Sequence, residues 1–224
     1  PRIEFEIPVM LSIDVTYVAF YGDREELIRV QGAPDDKSYD WCHKFATANV
    51  VGDNVHFAAA MLPVGNADYH DPDAYPGEDK SYRVGDVVRR LVDHVTEECW
   101  INVRRLYGDA EFYATDVFTS LEWRDIRYVI PAPRDDRVKR FIARMDEDVD
   151  GNKQVTVKDD HAVHGPVKHD VSNTRAETTL VGLPPDEDHD EVQTFATNLV
   201  LDDEIRLDRR WTKKQITRYR RRGG

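Results

Sequence analysis

Two aspartates stand where an aspartate is costly. Asp14 lies inside Leu11-Ser12-Ile13-Asp14-Val15-Thr16-Tyr17-Val18-Ala19-Phe20-Tyr21. The alternation there puts Leu11, Ile13, Val15, Tyr17 and Ala19 on one face and Ser12, Asp14 and Thr16 on the other, the period of a strand. A carboxylate in a central strand is unfavourable unless charge or hydrogen bonds compensate. A bound cation is one compensation; a structural hydrogen bond or an exposed strand face is the commoner one for an isolated Asp. Asp109 follows Gly108 where the strand Ile101–Tyr107 ends and the chain turns toward a helix. Ligand sites collect at such strand ends, although capping and turn roles are as frequent for Asp there. If the two strands are neighbours, the two carboxylates can share hard divalent cations, which prefer oxygen ligands.

Other chemistry is poorly supported. His161, His164, His169 and His189 crowd a region with Asp160 and Asp170, but their spacing matches no zinc signature, and solvated loop histidines are the better reading. His70-Asp71-Pro72-Asp73 reads as an acidic loop. The chain has no GxxxxGK, no dinucleotide glycine pattern and no GxSxG, so no nucleotide cofactor is expected. Trp41, Trp100, Trp123 and Trp211 are expected in the core or at interfaces rather than as base-stacking platforms. Cys42 and Cys99, the two cysteines, make neither a disulfide framework nor a zinc site.

The charge pattern is uneven. The 224 residues carry a net charge of −12, with 43 acidic and 31 basic residues. Asp outnumbers Glu 29 to 14, and Lys is scarce at 9 against 22 Arg, a composition suited to molar salt. Such a balance alone argues against nucleic acid as a partner. Its distribution reverses that inference. Arg206–Arg222 holds nine basic residues and one acid, a net +8, so the other residues carry −20. A solvated helix face with a basic tail is the plain alternative to a nucleic-acid contact. No apolar run approaches the roughly 20 residues that span a bilayer, Pro1-Arg2-Ile3-Glu4 does not begin a secretory leader, and a cytoplasmic setting is expected.

The elements that must position the two aspartates follow from periodicity. After the first strand, two more are expected at Phe45–Val51 and Val55–Leu62 around the turn Gly52-Asp53-Asn54, then an irregular Pro63–Lys80. Val84, Val87, Val88, Leu91, Val92 and Val95 form the clearest helical stripe. The valines lower helix propensity, so packing must hold it. A strand at Ile101–Tyr107, a helix at Ala114–Trp123, a strand at Ile126–Ile130 and a helix within Arg134–Met145 come next. From 146 to 203 short β-branched runs (Gln154–Val157, Thr178–Val181, Val192–Leu201) alternate with polar loops and read as an antiparallel β insertion within one domain of residues 1–224. A helix is expected around Ile205–Arg221. The whole is an α/β sandwich, and three strands, helix, strand, helix, strand is the order of a ribonuclease-H-like mixed sheet flanked by helices.

Ser12-Ile13-Asp14-Val15-Thr16 with Tyr21-Gly22-Asp23 resembles the first-aspartate strand of insertion-sequence transposases of the DDE class. Gly108-Asp109-Ala110-Glu111-Phe112-Tyr113, with Val117-Phe118, Leu121 and the strand ending Tyr128-Val129-Ile130-Pro131-Ala132, resembles their second-aspartate block. Tyr219 and Arg222 match the first half of the third block, Tyr-x2-Arg-x3-Glu-x6-Lys. Its Glu falls two residues beyond Gly224, so the chain reads as cut just before the last catalytic carboxylate. Glu111 stands where family members often carry Arg or Gly.

The resemblance implies metal-dependent DNA cleavage and strand transfer at the element's own ends. Three carboxylates, Asp14 and Asp109 among them, would hold two Mg²⁺ or Mn²⁺ ions about 3.5–4 Å apart. Tyr219 and Arg222 would contact DNA near the transposon end, with Arg218, Arg220, Arg221, Lys213 and Lys214 adding contacts to phosphates. On a helix, Tyr219 and Arg222 would share a face with the missing Glu. The family works as a homodimer bridged by DNA. Glu204 or Asp208 is a poor substitute for the third ligand, and little cleavage is expected from two carboxylates alone. The alternatives are a truncated remnant that folds and only binds DNA, or another metal nuclease of the same fold.

Overall fold

The protein was analysed as a computed structural model, which describes residues 8–23, 30–52, 56–64, 84–145, 175–187 and 189–198, with 151–158 described by backbone alone. It is a mixed α/β structure built on an open nine-stranded sheet. β1 (Val9–Phe20) runs antiparallel to β3 (Trp41–Val51), with Ser12 opposite Asn49 and Asp14 opposite Thr47. The far edge of β3 is shared. The short β2 (Val30–Gly32) pairs with Trp41–His43, and β4 (His56–Pro63) pairs with Phe45–Val51. On its other side β1 runs parallel to β5 (Val103–Tyr107), and β5 runs parallel to β6 (Arg127–Pro131). The sheet continues antiparallel through β9 (Gln193–Thr197), β8 (Arg175–Leu183) and β7 (Gly151–Lys158).

The alternation read in the sequence decides which face is core. Leu11 and Ile13 are fully buried, and with Ala46, Ala48, Leu106, Tyr128 and Ile130 they form the main apolar cluster. The buried residues of α1 (Val84–Asp93), α2 (Thr115–Trp123) and α3 (Asp136–Ile142) join that same cluster, so these helices cover one face. Residues one step out of phase, Tyr107 and Val129, gather with Leu183, Phe195 and Met10 in a smaller second cluster. None of the described helices is long and apolar enough to cross a membrane.

The valine-rich stripe buries Val87, Val88, Leu91 and Val92, then widens into a π-helical turn at His94–Glu98 that buries Val95. Thr96 Oγ1 donates to Val92 O at 2.9 Å, offering the backbone an alternative bond where the helix loosens. Two contacts fix α1 and α2 side by side and parallel. At their starts Gly85 N donates to Asp116 Oδ2 at 3.0 Å, and past their ends Arg124 Nη2 pairs with Asp93 Oδ1 at 2.7 Å. α3 starts where Asp135 Oδ1 accepts from Val138 N at 2.7 Å, a side-chain cap for an open helix end.

The segment read as a β insertion does not stand apart from the sheet. Ala176, Leu180 and Ala196 lie in the main cluster, and side chains stitch β6 to β8 and β9. Tyr128 stacks on Phe118 with centroids 5.0 Å apart and donates to Thr178 Oγ1 at 3.1 Å. Thr197 Oγ1 donates to Tyr128 O at 2.6 Å, and Asn198 Oδ1 accepts from Tyr128 N at 2.9 Å. The three-residue β2 was not expected from the sequence. The irregular stretch 65–80 and the helix expected around Ile205–Arg221 lie outside the described residues.

A Cβ on Gly85 would sit 2.5 to 2.7 Å from the Asp116 side chain, including its own Cβ, so Gly85→Ala should destabilise the fold. The expected loss is about 1–3 kcal/mol by urea melting; an unchanged midpoint would show that α1 and α2 can separate there freely. Tyr113 offers a gain instead. Its ring packs edge-on to Phe118 at 5.3 Å, while its hydroxyl is buried without a hydrogen-bond partner among the described residues. Burial, with Asp135 adding and Arg137 opposing, pushes its pKa up to about 12. The fold disfavours the ionised hydroxyl, so stability is unaffected by this titration below the ordinary tyrosine pKa and falls as pH rises toward 12. Tyr113→Phe should add about 1 kcal/mol at neutral pH, with the margin over wild type widening above about pH 10. Equal melts at pH 7 and pH 11 would refute this.

Candidate metal centre

The strand that carries Asp14 is paired along both edges only at its start. Its parallel pairing with β5 runs from Val9 to Ser12, with Ser12 opposite Tyr107. Asp14 and Asp109 each lie two residues past that last pair. By register the two residues are level with one another, Asp14 within β1 and Asp109 just past the carboxyl end of β5, and ligand crevices form beside such strand ends in open α/β sheets. Asp109 keeps the extended course of β5, with φ −81° and ψ 172°. By strand alternation both aspartates fall on the face of Met10, Ser12 and Tyr107, opposite the one covered by α1, α2 and α3.

Both side chains are half-buried and fixed locally. Asp14 Oδ1 accepts from Val15 N at 2.9 Å. Asp109 Oδ1 accepts from Ala110 N at 2.7 Å and so caps the 3₁₀ turn Ala110–Phe112. Gly108 makes that turn possible. A Cβ there would meet Ile130 Cγ1 and Phe112 Cβ, each at 3.2 Å, so the backbone passes close to β6. On β3 beside Asp14 stands a polar pair on the same face. Thr47 Oγ1 donates to Asp14 O at 3.4 Å, and Asn49 Nδ2 donates to Thr47 Oγ1 at 3.3 Å.

The turn that bears Asp109 is also tied to the opposite face. Tyr17 and Lys44 are a cross-strand pair, and Glu111 accepts from both: Lys44 Nζ at 3.1 Å and Tyr17 OH at 3.3 Å. Lys44 also lies over the Tyr17 ring, 5.5 Å from its centroid. Burial acts to lower the Lys44 pKa, but the bond to Glu111, its charge and Tyr17 outweigh that and raise it. The Tyr17 pKa is raised chiefly by burial and further by Glu111, with Lys44 opposing. Sequence reading noted Glu111 only as a departure from the resembled block and passed over Lys44 and Tyr17. The partners are 67 and 94 residues from Glu111, so no local pattern could pair them.

Asp14 and Asp109 thus lie on adjacent parallel strands, each two residues past the last pair of the β1–β5 register. Tyr219, Arg222, Arg218, Arg221, Lys213 and Lys214 lie outside the described residues, as do His161, His164 and His169. His189 pairs with Asp186 Oδ1 at 2.9 Å. Among the described residues no three His, Cys, Asp or Glu side chains gather as a metal-ligand group. Comparison with known proteins gives no matching family model and no matching curated protein.

Lys44→Met removes the ion pair while keeping most of the apolar stem. Because the Lys44 side chain is 26% and Glu111 47% exposed, the expected loss is only about 0.5–1 kcal/mol at pH 7. The raised Lys44 pKa means this contribution is complete below the ordinary lysine value and disappears as pH climbs through the folded one. Denaturant melts of wild type and variant should converge once pH has risen past the folded Lys44 value, above the ordinary lysine range, and coincidence at pH 7 would show the ion pair to be idle.

Proposed function

We propose that the chain is the catalytic domain of an insertion-sequence transposase of the DDE class, which cuts and joins DNA with divalent metal ions. The observation that carries this reading is the placement of Asp14 and Asp109 at one level on adjacent parallel strands. The strand order β4-β3-β1-β5-β6, with β3 antiparallel to β1 and β4, and β5 and β6 parallel to β1, supports a ribonuclease-H-like fold. In that fold residues 146–203 are an insertion whose strands extend the sheet.

The residues present suit the chemistry. Both candidates offer carboxylate oxygens, the hard donors that Mg²⁺ and Mn²⁺ prefer. Asp14 spends one oxygen on Val15 N, which fixes the carboxylate plane, and its other oxygen is the ligand in this reading. When bound, a metal pair lowers the pKa of the attacking water or 3′-hydroxyl and neutralises the leaving oxygen in an in-line displacement at phosphorus. The protein's part is placement. Asp14 is held by a strand secured on β3, and Asp109 by the capped turn and the Glu111–Lys44 pair. The resembled signature, of which Tyr219 and Arg222 match the first half, would supply the third carboxylate and contacts to DNA near the transposon end. Arg218, Arg221, Lys213 and Lys214 would contact DNA phosphates, and a homodimer would be bridged by the DNA. The remaining net charge of −20 means that affinity must come from that one +8 segment.

The test is metal-dependent nicking and joining of duplex DNA by the protein. Asp14→Asn and Asp109→Asn should each lower cleavage by at least about 100-fold while leaving DNA binding intact. Joining that survives both substitutions would sink the proposal. DNA binding without cleavage in the unsubstituted protein would instead identify a chain that binds only.

A further inference from the structure

The opposite end of the sheet carries a second surface that the proposed chemistry does not use. The end of α1, the π-helical turn, the turn into β5 and the end of α2 enclose a groove of about 450 Å³. Trp100 and Trp123 line it and are 78% and 84% exposed. Neither is the core residue that the sequence allowed. Trp100 is also in the left-handed region at φ 58°, just after a helical turn closed by Cys99 N donating to His94 O at 3.0 Å. Glycine or asparagine ordinarily holds such a position. A tryptophan there carries backbone strain, and its exposure means that burial within the fold does not offset it.

The electrostatics select the occupant. Asp93 and Glu97 line the groove, and the carbonyl ends of α1 with its π-helical extension and of α2 face it without a basic residue in the last turn of the π-helix or of α2. Helix carboxyl ends favour cations, and with Asp93 paired to Arg124 the carboxylate left in the groove is Glu97, a setting that does not favour phosphate beside the indoles. Arg124 already shows what fits. Its guanidinium lies 5.4 Å from the Trp123 ring centroid and pairs with Asp93 at 2.7 Å. Trp100 and Glu97 repeat the same pair of groups, and Glu97 has no ion-pair partner among the described residues. In this chain arginine is concentrated in Arg206–Arg222.

We propose that the groove docks arginine side chains from the basic stretch Arg206–Arg222 of a second copy of this chain, stacking a guanidinium on Trp100 against Glu97. The contact combines a ring face with a carboxylate, so it persists where salt screens longer-range attraction. It uses neither aspartate, but it draws on the basic stretch that the transposase reading assigns to DNA, so groove and DNA compete for that stretch.

Sedimentation equilibrium of the full chain tests it. Wild type should form a concentration-dependent dimer that a synthetic peptide of residues 206–222, in excess, returns to monomer. Glu97→Gln, on an exposed side chain, should weaken the dimer about tenfold. Trp100→Gly should also weaken it, and because glycine relieves the left-handed strain it should raise the melting temperature, which separates loss of docking from loss of folding. A chain that stays monomeric at every concentration overturns the proposal. So does a dimer indifferent to both substitutions or to the peptide.

Discussion

β1 is paired with β3 along nearly its whole length but with β5 only as far as Ser12. That unequal pairing is the constraint on which the candidate site depends. A strand secured on one edge can carry a carboxylate past the point where its other neighbour has turned away, and it does so without losing its course. Asp14 and Asp109 stand on the two sides of the resulting crevice, and each accepts from the backbone N–H of the next residue. Those bonds alone would justify an aspartate at either position. What they do not account for is the level placement of the two residues on adjacent strands, which the proposed reading assigns to a shared cation.

The crevice is held open from the helix-covered face. Glu111 sits on the turn that begins at Asp109, and its bonds to Lys44 and Tyr17 anchor that turn to β3 and β1 together. The ion pair is only half shielded, so its energy is modest. Its value is geometric. A turn anchored at Glu111 restricts where Asp109 can go, as the proposed metal site would require.

Much of this was legible in the sequence because it is local. The alternation around Asp14 gave the strand and its two faces. The spacing of Val84, Val87, Val88, Leu91, Val92 and Val95 gave the first helix and its buried stripe, although not the π-helical turn in which the stripe ends. The site was legible to the extent that Asp14 and Asp109 sit at a strand centre and a strand end. What was not legible is long-range. β2 has only three residues, too few for a period to register. Nothing local shows that Thr178, Thr197 and Asn198 tie the late strands to Tyr128 across the same core, or that Glu111 meets Lys44. Exposure of Trp100 was hidden for a different reason. Its conformation follows from how a helical turn ends, and tryptophan is not the residue that usually marks such an end.

The two parallel helices give the molecule a polarity that spans both surfaces. The Gly85–Asp116 bond sets their amino ends beside one another, and the Asp93–Arg124 pair does the same just past their carboxyl ends. α1 leads into the start of β5, and α2 leads from the end of β5 to the start of β6, so each helix runs opposite to the parallel strands. Their amino ends therefore lie toward the strand ends that carry Asp14 and Asp109, and their carboxyl ends toward the Trp100–Trp123 groove. Backbone dipoles make the first end hospitable to anions such as phosphate and the second to cations such as guanidinium. Asp86 and Asp116, in the first turns of the two helices, match that direction. One packing decision, the parallel seating of α1 on α2, thus sets opposite helix-dipole ends at opposite ends of the sheet.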